Sequence, residues 1–196
     1  MINLERECSL QVLSKKNQIK EFDGGNSDLN DFFCNDALKY QDELLGETYF
    51  FRLKSNKKIV CAFTISNDSI KVYDLPNNRQ KKVKNTIPRE KQMKSFPALL
   101  IGRFGVNISF SGQGIGNQVL DFIKSFALLE FKNRCRFLLV DSYNNEKALS
   151  FYTKNEFWFV FSSEEQEKEY YIKEEKSELK TRFMCFDLMT WKKLLD

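Results

Sequence analysis

Three glycines alternate with other residues in Ser111-Gly112-Gln113-Gly114-Ile115-Gly116, between a stretch that reads as a strand and one that reads as a helix. The first turn of a helix presents backbone N–H groups without intrahelical acceptors and carries roughly half a positive charge, so bare backbone there suits an anion, above all a phosphate. Spacing excludes the two commonest nucleotide loops. A dinucleotide fingerprint starting at Gly112 needs glycine where Asn117 stands, and the Gly-Lys-Ser/Thr ending of a P-loop is missing. A tight turn with close helix–strand packing is the other use for such glycines. The chain has no histidine, which removes Ser-His-Asp and Cys-His nucleophilic machinery, H-E-x-x-H metal sites and the commonest general base. Chemistry therefore falls to carboxylates, tyrosine, lysine, cysteine, water or a cofactor. Asp141 and Glu156 are available carboxylates, but no spacing argument singles either out as a base.

The elements around this loop form an α/β pattern. With 196 residues and 42% hydrophobic content, the chain is expected to be a single domain, 1–196, with a sizeable core. Five scattered cysteines without a C-x-x-C pair argue against a disulfide framework or a cysteine-rich metal site, and no metal is expected. The opening MINLEREC is too charged for a secretory signal and no apolar run reaches the ~18 residues of a membrane span, so a cytoplasmic protein without membrane contact is expected. A net charge of +4 permits an anionic ligand without demanding nucleic acid. Strands are predicted over 7–13, 48–53, 59–66, 98–106, 136–141, 157–162 and 182–187. The spacing predicts helices from a Ser27 cap to about Leu45 with Gly46 as the stop, from Ile115 through Phe126, over 144–154, and briefly from Trp191. Residues 67–97 read as an elaborated basic insertion with a short helix near Pro88, and 163–180 as a charged loop between the last two strands.

The stretch RFGVNISFSGQGIGNQVL resembles the acetyl-CoA signature of the GNAT superfamily of N-acetyltransferases, with Gly114 and Gly116 at the signature glycines and Ser111 where glutamine or arginine is usual. Downstream, NEKALSFYTKNEF is similar to the family element N-x-x-A-x-x-F-Y-x-x-x-G-F at Asn145, Ala148, Phe151, Tyr152 and Phe157, with Glu156 in place of the glycine. The resemblance implies a mixed, mainly antiparallel sheet with splayed central strands, flanked by helices, and acetyl-CoA as cofactor. It implies pyrophosphate contacts from Gly112, Gln113, Gly114, Ile115, Gly116 and Asn117. Phe104 and Val106 would offer main-chain bonds to the pantetheine arm, and Gly105 a close approach to it. Asn145 matches a side-chain contact to the arm, although a helix cap is an equal use for it. Tyr152 falls at the position of the acid that protonates the leaving thiolate; packing in the core is its other reading.

The stretch FDGGNSDLNDFFCNDALKYQDELLGETYFF resembles the N-terminal region of acetyltransferase toxins from toxin–antitoxin pairs, with Gly24 where a cysteine is usual. That likeness implies aminoacyl-tRNA as acceptor and a ribbon-helix-helix antitoxin as partner; a homodimer is also allowed. Small-molecule and protein amines are the other acceptors. Without an evident base, an α-amino acceptor is favoured over a lysine side chain by roughly 3 kcal/mol at neutral pH, the difference between pKa ~8 and ~10.4. The basic residues Arg79, Lys81, Lys82, Lys84, Arg89, Lys91 and Lys94 are candidates for tRNA phosphates. The departures at Ser111 and Glu156 also suit a non-catalytic binding module that keeps the fold.

Overall fold

The computed structural model describes residues 2–72, 75–84, 87, 94–130, 134–171 and 178–195. In chain order the elements are α1 (Leu4–Glu7), β1 (Cys8–Val12), α2 (Ser27–Asp31), α3 (Ala37–Asp42), β2 (Glu47–Leu53), β3 (Ile59–Lys71), α4 (Asn77–Lys84) and β4 (Ser95–Val106). They continue with α5 (Ile115–Leu129), β5 (Phe137–Tyr143), α6 (Glu146–Lys154), β6 (Trp158–Phe159), α7 (Glu164–Tyr171), β7 (Thr181–Asp187) and α8 (Leu188–Leu195). Seven strands form one sheet in the order β1-β2-β3-β4-β5-β7-β6. The pairings β1–β2, β2–β3, β5–β7 and β6–β7 are antiparallel. The β4–β5 pairing is parallel and joins only Ala98–Leu100 to Phe137–Leu139, after which β4 runs on to Val106 and β5 to Tyr143.

The chain divides into two compact units, 1–67 with 101–126, and 68–100 with 127–196. In the first, the strand period of two sends alternate β2 residues to opposite faces. Phe50 joins Phe22, Leu29, Phe33 and Ala37 in one core cluster. Tyr49 and Phe51 meet the rings of Phe126 and Phe122 on α5. Because α5 buries Ile115, Val119, Leu120 and Ile123 at no more than 1% exposure, its helical period and its first residue are fixed by the core. In the second unit the core gathers Ile70, Val72, Phe96, Phe137, Leu139 and Cys185.

Several expectations need correction. The helix cap is Asn26, whose side chain accepts from Leu29 N–H, and not Ser27. Between α2 and α3 the backbone forms a π-helical turn at Phe32–Asp36, and the segment is closed by Leu44 at φ 59° before Gly46 is reached. Only Trp158–Phe159 of the sixth predicted strand pairs. Within the supposed insertion β3 extends to Lys71, α4 occupies Asn77–Lys84 and β4 begins at Ser95; the helix expected near Pro88 falls outside the described residues. The supposed charged loop contains α7. There Glu167 is 1% exposed, pairs with Arg182 at 2.7 Å and accepts from Phe183 N–H, so its carboxylate anchors the helix to β7. No helix among the described residues is long and apolar enough to cross a membrane.

Candidate active site

The loop after β4 is shaped by two short devices. Asn107 donates its N–H to the Val60 carbonyl and caps a 3₁₀ turn over Ile108–Phe110, which Ser111 closes by donating to the Ile108 carbonyl. The chain then passes through Gly112 at φ 74° and Gly114 at φ 72°, a left-handed conformation that side chains resist. A Cβ built on either glycine would meet no heavy atom within 4 Å. These glycines therefore serve a turn that opens onto free space. The helical bonds of α5 start with Gln118 N–H to the Gly114 carbonyl, so the N–H groups of Ile115 and Gly116 lie ahead of the intrahelical ladder. Ile115 itself is 1% exposed, and its buried side chain holds the helix start in place. Bare backbone, positive helix end and open space together fit a diphosphate.

Gly105 has another purpose. A Cβ there would lie 2.7 Å from Leu29 Cδ2 and 3.1 Å from Phe22 Cζ, so this glycine lets β4 pack under α2. That packing is a use for Gly105 separate from the close cofactor approach the resemblance implies. Phe104 and Val106, its neighbours on the strand, are half-buried. All the residues from Phe104 to Asn117 belong to the first unit, whereas Asn145 and Tyr152 belong to the second.

In the second unit Asn145 caps α6, its side-chain oxygen accepting from Ala148 N–H at 2.9 Å. The cap role is real, and it leaves the Nδ2 donor for other use. Tyr152 is 7% exposed, with its ring packed edge-on against Phe151 and Phe157. Burial pushes its phenol above the usual tyrosine range, and the hydroxyl, like any tyrosine's, carries its proton at neutral pH. Phe157 N–H donates to the Tyr152 carbonyl and Glu156 N–H to that of Thr153, a Schellman-type end in which Glu156 takes φ 68°. Glu156 thus does a glycine's conformational work at the family's glycine position. Of the basic candidates, Arg79 is spent on packing, its guanidinium 5.8 Å from the Trp158 ring centroid; Arg89 and Lys91 fall outside the described residues. Sequence reasoning missed the Glu167–Arg182 anchor. Ser163 and Gln166 were a readable capping pair for its helix, since Gln166 N–H donates to Ser163 Oγ and Ser162 N–H to Gln166 Oε1.

A parallel β4–β5 pair at the centre of a largely antiparallel sheet, followed by a glycine-rich turn into α5, defines a class: this is the fold of the GNAT acetyltransferases. Solved structures share it over nearly the whole chain. AtaT complexed with acetyl-methionyl-tRNAfMet superposes with a TM-score of 0.68 at 18% identity, covering 97% of this chain and 100% of that one. A tyrosine-to-phenylalanine mutant of KacT gives 0.70 at 16% identity, with 96% and 99% covered. An AtaT mutant toxin bound to the C-terminus of the antitoxin AtaR and acetyl-CoA gives 0.67 at 15%, with 96% and 98% covered. No protein-family profile matches the sequence.

Proposed function

We propose that this chain is an N-acetyltransferase that moves an acetyl group from acetyl-CoA to a primary amine by direct attack in a ternary complex. The observation that carries the reading is the turn at Gly112 and Gly114, open to space and leading into the first-turn N–H groups of α5, within this fold. Acetyl-CoA would supply the activated thioester. Backbone groups from Gly112 to Asn117 would hold its diphosphate, with main-chain groups of Phe104 and Val106 and the Asn145 Nδ2 for the amides of its arm. Tyr152, like any tyrosine, carries its phenolic proton at neutral pH, which would let it donate to the departing sulfur. The test is calorimetry with acetyl-CoA alongside thioester turnover. Tyr152→Phe should lower turnover by about 10²–10⁴-fold, the usual worth of a positioned acid, at unchanged acetyl-CoA affinity. Equal turnover would remove Tyr152 from the chemistry, and absent acetyl-CoA heat would remove the reading itself.

A second reading gives the acceptor as the α-amino group of an aminoacyl-tRNA, with a ribbon-helix-helix antitoxin as partner. It is favoured by the likeness, over almost the full chain, to AtaT complexed with acetyl-methionyl-tRNAfMet and to AtaT bound to AtaR. Acetylation of aminoacyl-tRNA in preference to free lysine side chains would support it; the reverse preference would sink it.

A further inference from the structure

The first unit holds a cleft of about 1010 Å³ that the acetyl-CoA loop does not use. Its walls come from the segment after β1, from β2 and the β2–β3 turn, and from residues 107–110 just ahead of the glycine turn. Lys16, Lys20, Arg52, Lys57 and Lys58 line it against only two carboxylates, those of Glu21 and Asp23. This concentrates positive charge in a chain whose net charge is only +4. Among the described residues none of the four lysines has an ion-pair partner, and the Arg52 Nε–H is buried without an acceptor. Five cations against two carboxylates leave the concavity with an excess of positive charge, an arrangement that a polyanion relieves.

Apolar surface lies beside the charge. Ile108 is 51% exposed on the same wall, and the Phe110 ring, half-buried, lines the cleft as well. Backbone bonds fix this wall: Ile108 N–H donates to the Asp23 carbonyl and Asn107 N–H to that of Val60. Cations beside an aromatic ring are the combination that holds single-stranded nucleic acid, phosphates on the cations and a base on the ring. The volume exceeds what one phosphate fills and suits a few nucleotides.

We propose that this cleft binds a short single-stranded RNA segment, with Lys16, Lys57 and Lys58 on its phosphates and Phe110 under a base. Phe110 on the cleft wall immediately precedes Ser111 and the glycine turn in the chain. The inference deepens the aminoacyl-tRNA reading, on which its biological sense rests. It also moves the RNA contact away from the 79–94 stretch.

The test is fluorescence anisotropy of a labelled 12-nucleotide single-stranded RNA against the full chain without acetyl-CoA, over a salt series. Wild type should bind with a clear salt slope. The triple variant Lys16→Gln, Lys57→Gln, Lys58→Gln should lose at least tenfold in affinity, and its log–log slope should fall by about 2, given roughly 0.7 per phosphate for single strands. Phe110→Ala should weaken binding with the slope retained. The control pair Lys192→Gln, Lys193→Gln on α8 should bind as wild type does. Unchanged affinity and slope in the triple variant would overturn the proposal. So would equal competition by inorganic tripolyphosphate, which would make a free phosphate compound the ligand. Thermal melts confirm that these exposed-loop variants fold. Because the readout is RNA binding alone, failure of acetyl transfer leaves it intact, and failure here leaves acetyl-CoA chemistry intact.

Discussion

Two glycines nine residues apart, Gly105 and Gly114, serve different masters, and alanine at each should separate them. At Gly114 the backbone sits at φ 72° with open space around the missing Cβ. Alanine held there costs about 1–2 kcal/mol in backbone strain, offset by about 0.5–1 kcal/mol because alanine has fewer unfolded conformations to lose. The net is about 1 kcal/mol or less, a fall in melting temperature of about 2–4 °C for a chain of this size. The larger effect should be on acetyl-CoA. A methyl group in the cradle, or the loss of one backbone bond to a charged phosphate at about 1.5–3 kcal/mol, weakens binding by about 10–100-fold. At Gly105 the order reverses. The added Cβ would sit 2.7 Å from Leu29 Cδ2 and 3.1 Å from Phe22 Cζ, and both partners are 6% exposed with little room to yield. Overpacking of this kind costs about 1–3 kcal/mol, while acetyl-CoA affinity stays near wild type. Urea melts and calorimetry on both variants decide the matter. If Gly105→Ala lost cofactor affinity at full stability, or Gly114→Ala kept it, the assignment of the two glycines would be wrong.

Two stability predictions follow from groups whose surroundings are equally explicit. Glu167→Ala leaves the Arg182 guanidinium buried without its carboxylate and frees the Phe183 N–H, so urea unfolding should show a loss of about 3–5 kcal/mol; a loss below about 1 kcal/mol would mean that the pair is hydrated. Glu156→Gly relieves the left-handed backbone at the end of α6 and should raise stability by about 1 kcal/mol, read as a higher melting temperature.

Local pattern carried far where chain neighbours decide the outcome. The apolar period of Ile115, Val119, Phe122, Ile123 and Phe126 made α5 visible, and the two aromatic runs separated by KSNKK made β2 and β3 visible. The glycine turn was legible because a helix start and its preceding strand are sequence-adjacent. What escaped depends on residues far apart in the chain. Glu167 reads as one more solvated charge until Arg182, fifteen positions later, folds against it. The π-helical turn at Phe32–Asp36 has no propensity signature and reflects the joint burial of Phe33 and Ala37. The basic cleft draws on four separate segments, none of which is a charge run dense enough to stand out. The packing role of Gly105 was hidden for a similar reason, since its close neighbours, Phe22 and Leu29, come from more than seventy positions away.

The cysteines offer an internal clock for breathing motions. Cys8 and Cys61 are sealed inside the first unit and Cys185 inside the second, at 4%, 0% and 0% exposure, while Cys34 and Cys135 are within easier reach of solvent. An alkylating reagent should consume the two accessible thiols first and reach the other three only when their surroundings open. Mass spectrometry of the slow adducts would time the loosening of each half of the chain separately, without introducing a single mutation.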